Sequence, residues 1–67
     1  RAMKVRDVLR LLEADGWLLV ETHGSHRQFK HPRKPGRVTV SGHPGDDIPK
    51  GTVGSIRRQA GWKRGKE

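Results

Sequence analysis

The sequence predicts a small α+β domain with the element order α-β-β-β-α, in which two helices pack on one face of a three-stranded antiparallel sheet. Apolar residues recur at helical spacing near both ends of the chain and alternate with polar residues in between, while glycine and proline separate these segments. Only 30% of the 67 residues are hydrophobic, so the core must be thin. We expect a single domain over residues 1–67, with a folded core over residues 3–62 and a basic tail over residues 63–67.

Both helices are predicted from apolar spacing and from the residues that end them. The first runs from Lys4 to Asp15, and Gly16 follows as a residue that tolerates the left-handed conformation of many helix ends. The second begins near Pro49, whose fixed φ suits a first helical turn, and ends at Gly61. Trp62 is expected to fold back onto the core. The apolar faces consist of Val5, Val8, Leu9 and Leu12 in the first helix and Val53, Ile56 and Ala60 in the second.

Three strands are predicted between the helices, at 17–21, 26–31 and 37–40. A turn at 22–25 joins the first two, and a loop at 32–36 with two prolines and a glycine joins the last two. Successive strand residues point to opposite faces, so a buried Phe29 would leave its neighbours on the open side of the sheet. The outward residues are then His26, Gln28 and Lys30 on one strand and Arg37 and Thr39 on the next, while Val38 and Val40 face the core.

Composition limits the classes of function. The chain has 15 basic and 7 acidic residues, a formal net charge of +8, which suits nucleic acid or an acidic protein as a partner. No cysteine is present, so the chain can form neither disulfides nor a thiolate zinc site. No apolar run is long enough to span a bilayer, and no secretory signal pattern is evident. We therefore expect no membrane association and a cytoplasmic location.

The stretch between Glu21 and Asp46 contains no carboxylate, yet it holds all four histidines and five cationic residues. These cations could follow a phosphate backbone, although a solvated loop that keeps the protein soluble is the alternative. Gly24 and Ser25 could offer backbone N–H groups to a phosphate, or could form an ordinary turn. The expected RNA-binding residues are Gly24, Ser25, Arg27, Gln28, Lys30, Arg33, Lys34 and Arg37.

His26 is the residue with the most suitable chemistry. An imidazole can take and give a proton near neutral pH, and an RNA 2′-hydroxyl attacks the adjacent phosphate once a base removes its proton. The alternative is a polar strand residue near a turn. A Ser-His-Asp triad with Ser25 is disfavoured, because adjacent strand residues point to opposite faces and no acid within the stretch can orient the imidazole. The histidine spacing matches no strong metal signature, so no metal or other cofactor is expected.

Several segments together resemble the HicA (YcfA-like) family of toxins. They are Gly16-Trp17, the run from Gly24 to Phe29 that reads Gly-Ser-His-Arg-Gln-Phe, Val38-Thr39-Val40, His43-Pro44, Lys50-Gly51-Thr52 and Gln59-Ala60-Gly61. The resemblance implies a fold similar to the double-stranded RNA-binding domain and cleavage of mRNA independently of ribosomes. It also implies that His26 is catalytic and that a HicB-type antitoxin covers the active face.

Our leading hypothesis is a toxin that acts as a metal-independent endoribonuclease on mRNA, with His26 as general base or acid. The second acid–base group stays open: His43, His31 and Lys30 are candidates, and His23 is a supporting one. One alternative is a non-catalytic RNA-binding module of the same fold. Another is an interaction domain whose basic face only holds an acidic protein.

Overall fold

A computed structural model describes residues 3–62, so residues 1–2 and the predicted basic tail at 63–67 lie outside the described part. In chain order the elements are β1 (Met3–Lys4), α1 (Val5–Asp15), β2 (Leu18–His23), β3 (His26–Lys30), β4 (Arg37–Val40), β5 (Asp47–Ile48) and α2 (Lys50–Ala60).

The predicted fold class is confirmed. Strands β2, β3 and β4 form an antiparallel sheet in that order, with Phe29 opposite Val38 and Gln28 opposite Thr39. Residues of both helices share one core with the inward residues of β3 and β4, so both helices lie on the same face of the sheet. The buried core consists of Val5, Val8, Leu12, Trp17, Phe29, Val38, Val40, Ile48, Ile56 and Ala60.

A second, two-stranded sheet was not predicted. Strands β1 and β5 pair antiparallel and bring Lys4 opposite Asp47, whose side chains form an ion pair of 2.7 Å. The loop before β5 also satisfies the first donors of α1, since Val5 N donates to Asp46 O and Arg6 N donates to Pro44 O. Each strand is only two residues long, too short for an alternating pattern to be visible in the sequence.

Strand β2 differs from the prediction at both ends. It begins at Leu18 and continues to His23, because the turn needs only Gly24 and Ser25. A β-bulge lies between Leu19 and Glu21, where the register with β3 shifts by one residue. The bulge lies in β2 and not in β3, so the alternation predicted for β3 holds.

Helix α2 provides a hydrogen-bond partner for one backbone donor on the free edge of β4. The side-chain oxygen Oε1 of Gln59 accepts a hydrogen bond from Thr39 N at 3.1 Å, a backbone donor on the edge strand. The helix ends at Gly61, which has a φ of 72°, as predicted. Trp62 packs against the core, also as predicted.

The carboxylate of Asp15 joins the C-terminal ends of both helices to the loop after β3. Its Oδ2 accepts hydrogen bonds from Trp17 Nε1 at 2.9 Å, Lys34 Nζ at 2.7 Å and Trp62 Nε1 at 3.0 Å. Lys34 Nζ also donates to the carbonyl of Ala60 at the end of α2. One acidic side chain thereby holds together α1, α2 and the β3–β4 connection.

Acid should weaken the fold through Asp15. The hydrogen bonds from Lys34 and Trp62 lower the pKa of Asp15 from 3.8 to about 2. A lowered pKa means that the carboxylate stabilises the fold fully above pH 3.8 and loses this contribution as the pH falls toward 2. We expect the urea midpoint of the wild type to fall over this range, and that of Asp15→Asn to start lower and change less. Equal pH dependence in the two proteins would contradict this role.

Candidate functional site

Most polar side chains of the sheet lie on the face opposite the helices, which we call the open face. Register and alternation place side chains from three strands there, since Glu21 and Thr39 lie opposite Gln28, His23 lies opposite His26, and Arg37 lies opposite Lys30. The polar residues of the open face are Glu21 and His23 on β2, His26, Gln28 and Lys30 on β3, and Arg37 and Thr39 on β4.

His26 stands at the start of β3, directly after the turn. Gly24 has a φ of 60°, whereas the φ of Ser25 is not positive. This is the pattern of a type II′ turn, which has glycine at its first central position. This two-residue turn makes His23 and His26 a directly opposed pair. The side chain of His26 is exposed and makes no hydrogen bond or ion pair within residues 3–62. Its ring is therefore open to a ligand.

The centre of the open face is a polar network. Arg37 Nη1 donates to Gln28 Oε1 at 2.6 Å and lies 4.0 Å from Glu21 Oε1. Lys30, opposite Arg37, is exposed and makes no ion pair with any described residue. The face thus presents two cations with a single carboxylate beside them.

Glu21 is the site residue that the sequence analysis missed. Its Oε2 lies 2.5 Å from Nε2 of His23, and hydrogen bonding to His23 is the largest cause that lowers the pKa of Glu21, with the charge of Arg37 adding to it. We expected that no acid could orient the imidazole of His26, because the stretch between Glu21 and Asp46 contains none. Glu21 borders this stretch, and it contacts His23 instead. The sequence did contain a signal for this contact, because Glu21 and His23 are two residues apart. Residues at this spacing share a face of the sheet only if both belong to the strand, and the predicted strand ended before His23.

Three of the predicted site residues have other contacts. Arg27 lies on the face opposite His26 and donates to the carbonyl of Gly42 at 2.9 Å. Lys34 binds Asp15 and Ala60 at the helix ends, on the core side of the sheet. His31 has both ring nitrogens in hydrogen bonds: Nε2 with the carbonyl of Asp15, and Nδ1 with the backbone N–H groups of the loop residues that follow it.

Arg33 and His43 are both exposed, and no side-chain partner is seen for either within residues 3–62. The backbone of His43 is fixed in its loop by a hydrogen bond to Asp46 Oδ2 at 3.0 Å. The loop that holds His43 follows β4 at the end of the sheet where the β2–β3 turn lies, because Val40 is opposite Arg27. His43 is therefore at the same end of the sheet as His26.

Within residues 3–62, no group of three or more His, Asp or Glu side chains is placed to hold a metal ion. Neither helix of this part of the chain has the length and apolar character needed to cross a membrane.

Comparison with known proteins agrees with the resemblance of the motifs. A search of curated proteins gave no match. A family model described as "HicA toxin of bacterial toxin-antitoxin" matches residues 5–62, which is nearly the whole of the described chain. A toxin of this kind acts with an antitoxin as its partner. The chain therefore belongs to the HicA toxin family of bacterial toxin–antitoxin systems.

Proposed function

We propose that the protein is an endoribonuclease that cleaves mRNA without a metal ion, with His26 as a group that transfers a proton. The observation that carries the proposal is the exposed, unpartnered imidazole of His26 on the same open face as Lys30 and Arg37. A proton-transfer group must reach the substrate, and cations on the same face must bind the phosphates of the RNA strand. His26 meets the first condition, and Lys30 and Arg37 meet the second.

Cleavage of RNA by its own 2′-hydroxyl requires only groups that transfer protons and groups that bind phosphate. A base removes the proton of the 2′-hydroxyl, the 2′-oxygen bonds to phosphorus, and the bond from phosphorus to the 5′-oxygen breaks as that oxygen gains a proton. The products are a 2′,3′-cyclic phosphate and a free 5′-hydroxyl. Lys30 and Arg37 lie at the other end of the open face, where they can bind neighbouring phosphates of the RNA strand.

Few surfaces of the domain suit the stacking of bases. Phe29, Trp17 and the other large core residues are buried, and Trp62 is tied to Asp15. We therefore assign recognition to the phosphates and 2′-hydroxyls through Gln28, Lys30 and Arg37, with Arg33 at the edge and Gly24 and Ser25 at the turn. Arg27 and Lys34 support this surface through their contacts with Gly42 and Asp15.

The proposal extends to the partner and the location. We assign a HicB-type antitoxin that covers the open face and so blocks access to His26. The formal net charge of +8 suits an acidic surface on that partner. Both RNA and antitoxin would be met in the cytoplasm.

Purified protein incubated with RNA in EDTA provides the test. We expect cleavage, with 2′,3′-cyclic phosphate ends, because no step uses a metal ion. Intact RNA together with salt-dependent binding would instead show a non-catalytic RNA-binding module. Absence of any RNA affinity would indicate an interaction domain, and cleavage that depends on added Mg²⁺ would refute the metal-independent mechanism.

A further inference from the structure

The two histidines at the β2–β3 turn form a pair on the open face. His23 and His26 are register partners that flank the two-residue turn. Cα atoms of directly opposed residues in antiparallel strands lie roughly 4.5–5.5 Å apart, and their side chains project to the same side. One phosphodiester group can therefore lie between the two imidazoles.

The two imidazoles have different surroundings. Nε2 of His23 lies 2.5 Å from Oε2 of Glu21, so the hydrogen bond to the carboxylate occupies this nitrogen and leaves Nδ1 free. His26 has no carboxylate partner within residues 3–62. A carboxylate in contact with one ring nitrogen fixes the orientation of the ring and determines which nitrogen can exchange a proton with a substrate. The held ring of His23 and the unpartnered ring of His26 can therefore take different roles in one reaction.

The other candidates for the second proton-transfer group fit less well. Both ring nitrogens of His31 are bonded on the core side of the sheet. Lys30 is four residues along β3 from His26, which places its Cα roughly 13 Å away at about 3.3 Å per residue. His43 lies at the correct end of the sheet, but no carboxylate within residues 3–62 contacts its ring.

We propose that His23 is the general acid of RNA cleavage and that Glu21 is its positioning residue. This inference rests on the proposed function. His26 takes the proton of the 2′-hydroxyl as the 2′-oxygen bonds to phosphorus. The bond between phosphorus and the 5′-oxygen then breaks, and Nδ1 of the His23 imidazolium delivers its proton to that oxygen. Glu21 holds Nε2 of His23 throughout and exchanges no proton with the substrate.

Charged groups on several elements contribute to the electrostatic potential at His23 and His26. The charged and titratable residues that face it are Glu21 on β2, Lys30 on β3, Arg37 on β4 and His43 in the loop after β4. Of these, Glu21 is the one in contact with His23, and the pKa of Glu21 is below its ordinary value, so it is ionised at neutral pH. A test of Glu21 must therefore include a control for the loss of one negative charge.

A modified leaving group tests the role of His23 directly. The variant His23→Gln should cleave ordinary RNA about 10²-fold to 10⁴-fold more slowly than the wild type. An RNA whose scissile 5′-oxygen is replaced by sulfur has a thiolate leaving group, which departs without a proton. His23→Gln should cleave this RNA at nearly the wild-type rate, whereas His26→Ala should not recover. His23→Gln that is active on ordinary RNA, or that stays inactive on the sulfur substrate, would overturn the assignment.

The sulfur substrate also tests Glu21, with Glu13→Gln as the matched control. Both substitutions remove one carboxylate, and Glu13 is exposed on α1 away from the open face. Glu21→Gln should slow the cleavage of ordinary RNA, because the ring of His23 has lost the partner that orients it, and it should cleave the sulfur substrate at nearly the wild-type rate. Glu13→Gln should match the wild type on both substrates.

Wild-type activity of Glu21→Gln on ordinary RNA, or no recovery on the sulfur substrate, would overturn the role of Glu21. If His43→Gln showed the loss and sulfur rescue in place of His23→Gln, His43 would be the acid. If the wild type itself cleaved neither substrate, the proposed function would fail, and this outcome is distinct from a failure of His23 alone.

Discussion

Replacing His26 with alanine is expected to lower the rate of RNA cleavage by about 10²-fold to 10⁴-fold, the range for loss of one general acid–base group. The side chain is exposed and makes no contact that holds the fold, so its removal should act on the chemical step. Single-turnover cleavage of a defined RNA in EDTA measures this effect. Growth inhibition by the toxin in cells should disappear in parallel.

Folding and binding are the controls for this variant. The circular dichroism spectrum and urea midpoint of His26→Ala should match those of the wild type. Its affinity for RNA should change little, because Lys30 and Arg37, the proposed phosphate-binding residues, remain. Lys30→Ala is the matched comparison, since it should weaken binding and its dependence on salt. Undiminished cleavage by His26→Ala would remove His26 from the mechanism.

Local patterns in the sequence were sufficient to predict the strand that carries His26. Burial of Phe29 fixes the orientation of β3, and alternation then places His26, Gln28 and Lys30 on the other face. The prediction holds because the bulge of this sheet lies in β2. Val38 and Val40 were predicted in the same way, and both are buried.

Contacts between distant segments could not be predicted in this way. The stretch between Glu21 and Asp46 is free of acids in the sequence, but folding brings Asp15 to Lys34 and Glu21 to Arg37. Composition therefore overstated the number of free cations. Five cations were assigned to RNA, and the structure ties Lys34 to the helix ends and Arg27 to a loop carbonyl. Periodicity predicts which face of a strand or helix a residue lies on. The residue that it contacts there depends on which elements lie side by side in the fold.

The same contacts connect stability with the site. Lys34 and His31 belong to the loop region between β3 and β4, and both bind Asp15 at the end of α1. This attachment fixes the connection whose two strands present Lys30 and Arg37 opposite each other. His31 and Lys34 thus help to position Lys30 and Arg37 on the open face.

Trp17 is the residue whose loss should destabilise the protein most. It is only 2% exposed and is among the largest fully buried side chains, and its indole N–H binds Asp15. Its ring also meets His31 edge to face, with centroids 5.2 Å apart. Truncation of a buried tryptophan to alanine typically costs about 3–5 kcal/mol. A domain of this size has a free energy of unfolding of roughly 3–10 kcal/mol, at about 0.05–0.15 kcal/mol per residue.

Trp17→Ala should therefore be largely unfolded at 37 °C, as judged by circular dichroism and urea titration. Trp17→Phe separates the contribution of ring burial from that of the hydrogen bond to Asp15, because it keeps most of the buried ring and loses the N–H group. We expect a smaller loss for Trp17→Phe, similar to that for Trp62→Phe, which removes another N–H donor to Asp15 from a half-buried position. If Trp17→Ala were no less stable than Trp17→Phe, burial of the ring would not be what holds this thin core together. Binding of the antitoxin should restore folding of Trp17→Ala in part, because a partner that binds only the folded state stabilises it by mass action.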